Sequence, residues 1–145
     1  MKKLFSFFIL FVSCASFSQN WQSNFNDAKI EAEKSQKNIL LVFSGSDWCA
    51  PCIKLDRNIW QSPEFKKFSD ENLILYKADF PKKKANQLSA ELSAENQSLA
   101  SKYNKDGNYP LVVILDYNGN VKAVSGYTKN PPADFIISLQ SFITK

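Results

Sequence analysis

The stretch Leu40–Asp56, L-L-V-F-S-G-S-D-W-C-A-P-C-I-K-L-D, decides how the chain is read. It continues an apolar run, Ile39 to Ser44, that stops at Gly45. A short run of this kind, without alternation, fits a strand buried on both faces. Beyond it, Cys52, Leu55 and Ile59 share one side of a helix, and Pro51 stands in a first turn, where a missing N–H costs little. The passage therefore predicts strand, turn and helix, with Cys49 and Cys52 at the helix start.

Working outward, F-N-D-A-K-I-E-A-E-K-S-Q-K places Phe25, Ala28 and Ala32 at helical spacing, with Asn24 or Asn26 as cap and Asn38 as the end. Ser62-Pro63-Glu64 starts a short helix through Phe68, with serine as cap and proline at the first helical position. Leu73 to Ala78 reads as a second strand. The polar segment that follows, Pro81 to Lys105, is helical in part, because Leu88, Leu92, Leu99 and Tyr103 make one apolar stripe. Leu111–Asp116 and Val121–Val124 flank Asn118-Gly119, which signals an antiparallel hairpin. Pro131-Pro132 opens a closing helix that buries Phe135, Ile136, Leu139, Phe142 and Ile143. The order α-β-α-(α)-β-α-β-β-α describes one α/β domain, residues 19–145, without a linker.

Composition agrees. The chain has 145 residues, 44% hydrophobic and 22% charged, which is globular and long enough for one domain. M-K-K-L-F-S-F-F-I-L-F-V-S-C-A-S-F-S has the layout of a secretory signal peptide, residues 1–18: a basic start, an apolar stretch Leu4–Val12, then small residues. That stretch is too short for a bilayer, which needs about 20 residues. Ser16 and Ser18 supply the small side chains for cleavage before Gln19. Phe11-Val12-Ser13-Cys14 offers a second reading, a lipobox acylated on Cys14, so that the protein is either free outside the cytoplasm (periplasmic or secreted) or anchored as a lipoprotein. Removing Lys2 and Lys3 with the leader lowers the formal charge from +4 to +2, which calls for no nucleic-acid partner. Lys82-Lys83-Lys84 is either a solvated loop or a binding patch. A monomer is expected.

With Cys14 in the leader, the domain keeps only Cys49 and Cys52. Structural zinc wants four ligands, and the chain has no histidine and no further cysteine. A permanent disulfide would close too small a loop to stabilise much through chain entropy. The absence of histidine also removes the usual Cys-His hydrolase chemistry. Reversible thiol–disulfide chemistry is the reading that remains.

W-C-A-P-C after a buried strand and at a helix start, with Tyr109-Pro110 before a hairpin, resembles the thioredoxin superfamily over roughly Phe25 to Lys145. F-S-G-S-D-W-C followed by P-E-F is similar to its secreted bacterial members. The resemblance implies a thioredoxin fold: a central mixed sheet with a C-terminal antiparallel hairpin, flanked by helices. It implies Cys49 as nucleophile, its thiolate favoured by the helix N-terminus, and Cys52 as the resolving thiol. No cofactor is then needed beyond the dithiol. The partners implied are protein thiols and disulfides, with a membrane-borne or periplasmic redox partner. Trp48, Ala50, Pro51, Tyr109 and Pro110 are the expected substrate-binding residues, with Trp48 either a roof over the site or a packing residue. Pro110 is expected to be cis, the alternative being a trans strand-starter. Ala50-Pro51 resembles the G-P of reducing thioredoxins more than the P-H or P-Y of oxidants, which favours reduction or interchange. A peptide-binding module with little turnover is the alternative function.

Two departures from the family stand out. Matching the tryptophans without a gap puts Phe43 where the family has a buried acid that assists the second cysteine. Lys77 matches the family's lysine beside that acid, and is either proton-transfer support or an ordinary strand-end residue. The expectation is that Cys52 activates slowly or uses water. The extra length between Ala78 and Tyr109 either shapes substrate access or is solvated decoration.

Overall fold

A computed structural model describes residues 19–144; residues 1–18, on which the signal-peptide and Cys14 lipobox readings fall, and Lys145 lie outside them. Among the described residues the strands form one sheet in the order β2-β1-β3-β4. The strand predicted from the opening stretch is β1 (Asn38–Ser44), buried from Ile39 onward. It runs parallel to β2 (Leu73–Asp79) and antiparallel to β3 (Leu111–Leu115), which pairs antiparallel with β4 (Val121–Gly126).

A strand alternates its side chains, so β1 feeds two cores. Ile39, Leu41 and Phe43 pack in the layer with Phe25, Ala28 and Ala32 of α1 (Phe25–Ser35) and Leu99 of α4 (Ala90–Tyr103). Leu40 and Val42 pack on the other face, with Leu55 of α2 (Ala50–Leu55), Phe65 of α3 (Pro63–Asn72), and Phe135 and Leu139 of α5 (Pro132–Ile143). Full burial contributes about 1.5–3 kcal/mol for each of these Val, Leu, Ile and Phe side chains.

Side-chain caps set the helix starts. Asn24 accepts from the Asp27 N–H, Ser62 from Phe65 and Ser89 from Leu92. Helix α3 runs on past Phe68 to Asn72. After α2 the chain widens into a π-helical turn, Asp56–Trp60, which keeps Ile59 and Trp60 buried.

Two details differ from the sequence reading. The stripe on α4 contains a buried polar residue, Asn96, between Leu92 and Leu99, and Leu88 precedes the helix cap. Asn96 fits because its carbonyl accepts from the Tyr76 hydroxyl at 2.6 Å and its amide donates to the Asp79 carbonyl at 3.0 Å. Glu95 beside it accepts from Tyr76 Oη and from the Phe25 N–H, 2.8 Å each. The hairpin turn also takes in Asp116, which the sequence places at the end of the strand, because β3 stops at Leu115. Asp116 accepts from the N–H groups of Asn118 and Asn120, 2.9 Å each, and only Gly119 in the turn has positive φ, at 87°.

Candidate active site

The cysteines sit where β1 hands over to α2. Cys49 is the N-cap, its N–H donating to Gly45 O at 2.9 Å. Its Sγ accepts the Cys52 N–H at 3.3 Å. The two are joined as a disulfide, with Cα atoms 5.2 Å apart. Cys49 and Cys52 are 5% and 3% exposed, so accessibility hardly separates them; position does. Cys49 lies at the positive end of the helix, with exposed Ala50 and Pro51 after it, whereas Cys52 faces inward one turn on. An N–H aimed at Cys49 Sγ favours its thiolate once the bond is reduced.

Trp48 is 39% exposed and packs on the neighbouring loops. Its indole N–H donates to Phe80 O at 2.7 Å, and its ring meets Tyr109 edge-on at 5.5 Å. Phe80 meets Tyr109 in the same way, also at 5.5 Å. Burial raises the Tyr109 hydroxyl above its ordinary pKa. The Tyr109–Pro110 peptide is cis, and Pro110 is buried. Gly45 is required here for space, since a Cβ would collide with the Trp48 ring.

The segment between Ala78 and Tyr109 reaches this site. Lys82 Nζ lies 4.0 Å from the Trp48 ring centroid, a cation–π contact. A cleft of about 320 Å³ beside Trp48 is walled by Phe80, Pro81, Lys82, Gln87 and Leu88. Two carboxylates brace the loops across it. Asp47 accepts from the Lys82 and Lys83 N–H groups, 2.9 Å each, and from Asn86 Nδ2 at 3.0 Å. Asp79 accepts from the Ser46 N–H at 2.9 Å and from its hydroxyl. Neither brace is visible in sequence, because each joins residues more than thirty positions apart.

Acidification is expected to open the first brace. The Lys82 N–H above all, then Asn86 and Lys83, hold the Asp47 carboxyl below its ordinary pKa. A depressed carboxyl stabilises fully above its unfolded pKa and loses that contribution as pH falls through the folded one. The Lys82 and Lys83 amide shifts should therefore titrate below about pH 4, and Asp47→Asn should remove that step. Shifts that stay flat in the wild type would refute the brace.

Behind Cys52 the structure departs from the ungapped match. Phe43 points into the α1/α4 layer, away from Cys52. Val42 and Ser44 occupy the α2 side, since one residue of register reverses a strand's faces. Lys77 lies on that side and is not a free strand-end residue. Its Nζ meets Asp56 Oδ1 at 3.2 Å and stands 5.2 Å from the Trp21 ring. Asp56, four residues after Cys52, carries no signal in the sequence, because its partner is 21 positions away.

Comparison with known proteins agrees with this geometry. The model of a family described as Thioredoxin-like matches residues 20–116. The chain is 34% identical over 127 residues to the disulfide bond reductase DsbH of Chlamydia pneumoniae, covering 88% of this chain and 74% of that one. It is 26% identical over 97 residues to the thioredoxin-related protein DsbJ of the same organism, covering 67% of this chain but only 27% of DsbJ. A solved DsbH oxidoreductase superposes with a TM-score of 0.80 at 33% identity, covering 86% of this chain and 84% of that one. A thioredoxin from Thermus thermophilus, at 14% identity and a TM-score of 0.64, covering 86% and 87%, shares the fold. The chain belongs to the thioredoxin-like family, with Cys49 and Cys52 as its disulfide pair.

Proposed function

We propose that this chain reduces disulfides in other proteins outside the cytoplasm, with Cys49 attacking and Cys52 resolving. The observation that carries this is Cys49 Sγ at the cap of α2, receiving the Cys52 N–H while already bonded to Cys52. In the reduced state the same N–H and the helix end favour the Cys49 thiolate, which is the attacking species. Attack on a target cystine breaks its S–S bond, releases one target thiol and leaves a mixed disulfide on Cys49. Cys52 then displaces the second target thiol and closes the Cys49–Cys52 bond. The dithiol carries both electrons and requires no further cofactor.

Trp48, Ala50, Pro51, Tyr109 and Pro110 receive the target. An extended peptide lies along the Tyr109–Pro110 edge by strand addition, with the Trp48–Tyr109–Phe80 rings as its apolar floor. The similarity to a disulfide bond reductase supports the reducing direction. The leader reading of residues 1–18 supports an extracytoplasmic site, with lipid attachment at Cys14 as its anchored form. A reductase there needs a membrane-borne or periplasmic donor to restore the dithiol. The protein acts as a monomer, without nucleic acid.

Equilibration with glutathione, followed by tryptophan fluorescence, tests the direction. The expected potential lies near that of thioredoxin, about −270 mV. A value above about −180 mV, in the isomerase and oxidant range, would reverse the assignment. Insulin precipitation with dithiothreitol tests turnover, and a rate no faster than dithiothreitol alone would leave a peptide-binding module.

A further inference from the structure

Cys52 is 3% exposed, and its thiol must lose a proton before its sulfur can attack. Burial disfavours the thiolate, so a nearby proton acceptor has to compensate. One cleft, about 200 Å³ in volume, reaches Cys52 and is also lined by Ser44, Ser46, Asp56, Arg57 and Lys77. Asp56 is the carboxylate of that lining. Its backbone N–H donates to Cys52 O, which places both residues on one flank of the helix. The other groups facing it are Lys77 across from β2, Gln61 Nε2 at 3.4 Å and neighbouring Arg57. Asp79, further along β2, is committed to Ser46.

We propose that Asp56 accepts the Cys52 proton during the resolving step, through water in this cleft, and that Lys77 is the positioning residue that holds its carboxylate there. The proposal rests on the roles of Cys49 and Cys52 given above. In the step, Cys52 Sγ–H passes its proton to Asp56. The Cys52 sulfur forms a bond to Cys49 Sγ, and the bond from Cys49 Sγ to the target sulfur breaks. The target sulfur leaves with that electron pair as a thiolate and takes a proton from solvent. Cys49 and Cys52 end oxidised as a disulfide, and the target cystine ends reduced to two thiols. Asp56 returns its proton to water at the open side of the cleft, where its side chain is 39% exposed. This supplies from the helix what Phe43, turned into the other layer, does not supply from the strand.

The test mixes the reduced protein with 5,5′-dithiobis(2-nitrobenzoate) in a stopped-flow instrument. Attack by Cys49 releases one coloured thiolate in a bimolecular phase. Resolution by Cys52 releases the second in a unimolecular phase. In Asp56→Asn the second phase should slow relative to the first by about a hundredfold at pH 7, the low end for general-base catalysis. Its rate should then rise in proportion to hydroxide. In Lys77→Met the second phase should slow while the first keeps its wild-type rate, and Lys77→Arg should restore it, since the carboxylate then regains a cation that holds it in the cleft. An exposed ion pair adds little to folding, so these variants should fold. A second phase in Asp56→Asn with the wild-type rate and pH profile would overturn the proposal, as would a slowing that is equal at every pH. A wild-type protein with no bimolecular phase would instead overturn Cys49 as the attacking thiol, and this proposal with it.

Discussion

Replacing Cys49 by serine is expected to reduce insulin reduction to the level of dithiothreitol alone, a loss of about a thousandfold or more. The size of the effect follows from the chemistry. A serine hydroxyl at the cap of α2 would still receive the Cys52 N–H, but an alcohol is not ionised at neutral pH and cannot form a disulfide. Cys52 cannot take over, because it sits one turn further in and faces the interior, away from the helix end that favours the thiolate. Replacing Cys52 by serine should behave differently. Cys49 keeps its place and its attack, but the mixed disulfide has no internal thiol to close it. That variant should accumulate covalent complexes with its targets that run as larger species on non-reducing gels and disappear with dithiothreitol. Wild-type turnover in Cys49→Ser would remove Cys49 from the mechanism. Complexes that accumulate in Cys49→Ser instead of Cys52→Ser would exchange the roles of the two sulfurs.

Most of the architecture was legible because it is written in local periodicity. The run Ile39–Ser44 reads as a doubly buried strand and is one, and Ser62-Pro63 reads as a helix start and caps α3. The cysteine pair was equally legible, since strand, turn and Pro51 all lie within the opening stretch. What escaped depends on which face a residue takes and on partners distant in sequence. Counting back from Trp48 sets Phe43 opposite Cys52, but an error of one residue in a strand moves a side chain to the other layer. Asp56 stands in that same stretch and carries no local signal. It acquires meaning only when β2 brings Lys77 to within 3.2 Å. Asn96 is illegible for a related reason: a polar residue in an apolar stripe looks like a break until Tyr76 arrives to bond it. The segment after Ala78, by sequence either shaping substrate access or solvated decoration, lies against Trp48 because Asp47 ties its backbone down.

Trp60→Ala is expected to be the most damaging substitution for stability, at about 3–5 kcal/mol. Trp60 is 1% exposed and lies at the end of the π-helical turn that continues the cysteine helix. Its ring is the meeting point of its layer: Phe65 of α3 at 4.6 Å, Phe135 of α5 at 5.5 Å and Trp21 at 6.1 Å. Truncation leaves a void walled by three aromatic rings that belong to three separate segments, so no single side chain can move to fill it. A domain of this size has about 5–15 kcal/mol of stability in all, and the variant should stand near the edge of folding at 37 °C. Urea unfolding followed by circular dichroism measures this as a lower midpoint with an unchanged slope. Cys49 and Cys52 are positioned by the first turn of the helix, held to Gly45 O and to each other, so the molecules that remain folded should keep wild-type reduction rates per mole of native protein. A loss below about 1 kcal/mol would show that the layer closes over the void, contrary to the packing described. A fall in rate per native molecule would show that this aromatic cluster also sets the geometry of the cysteines.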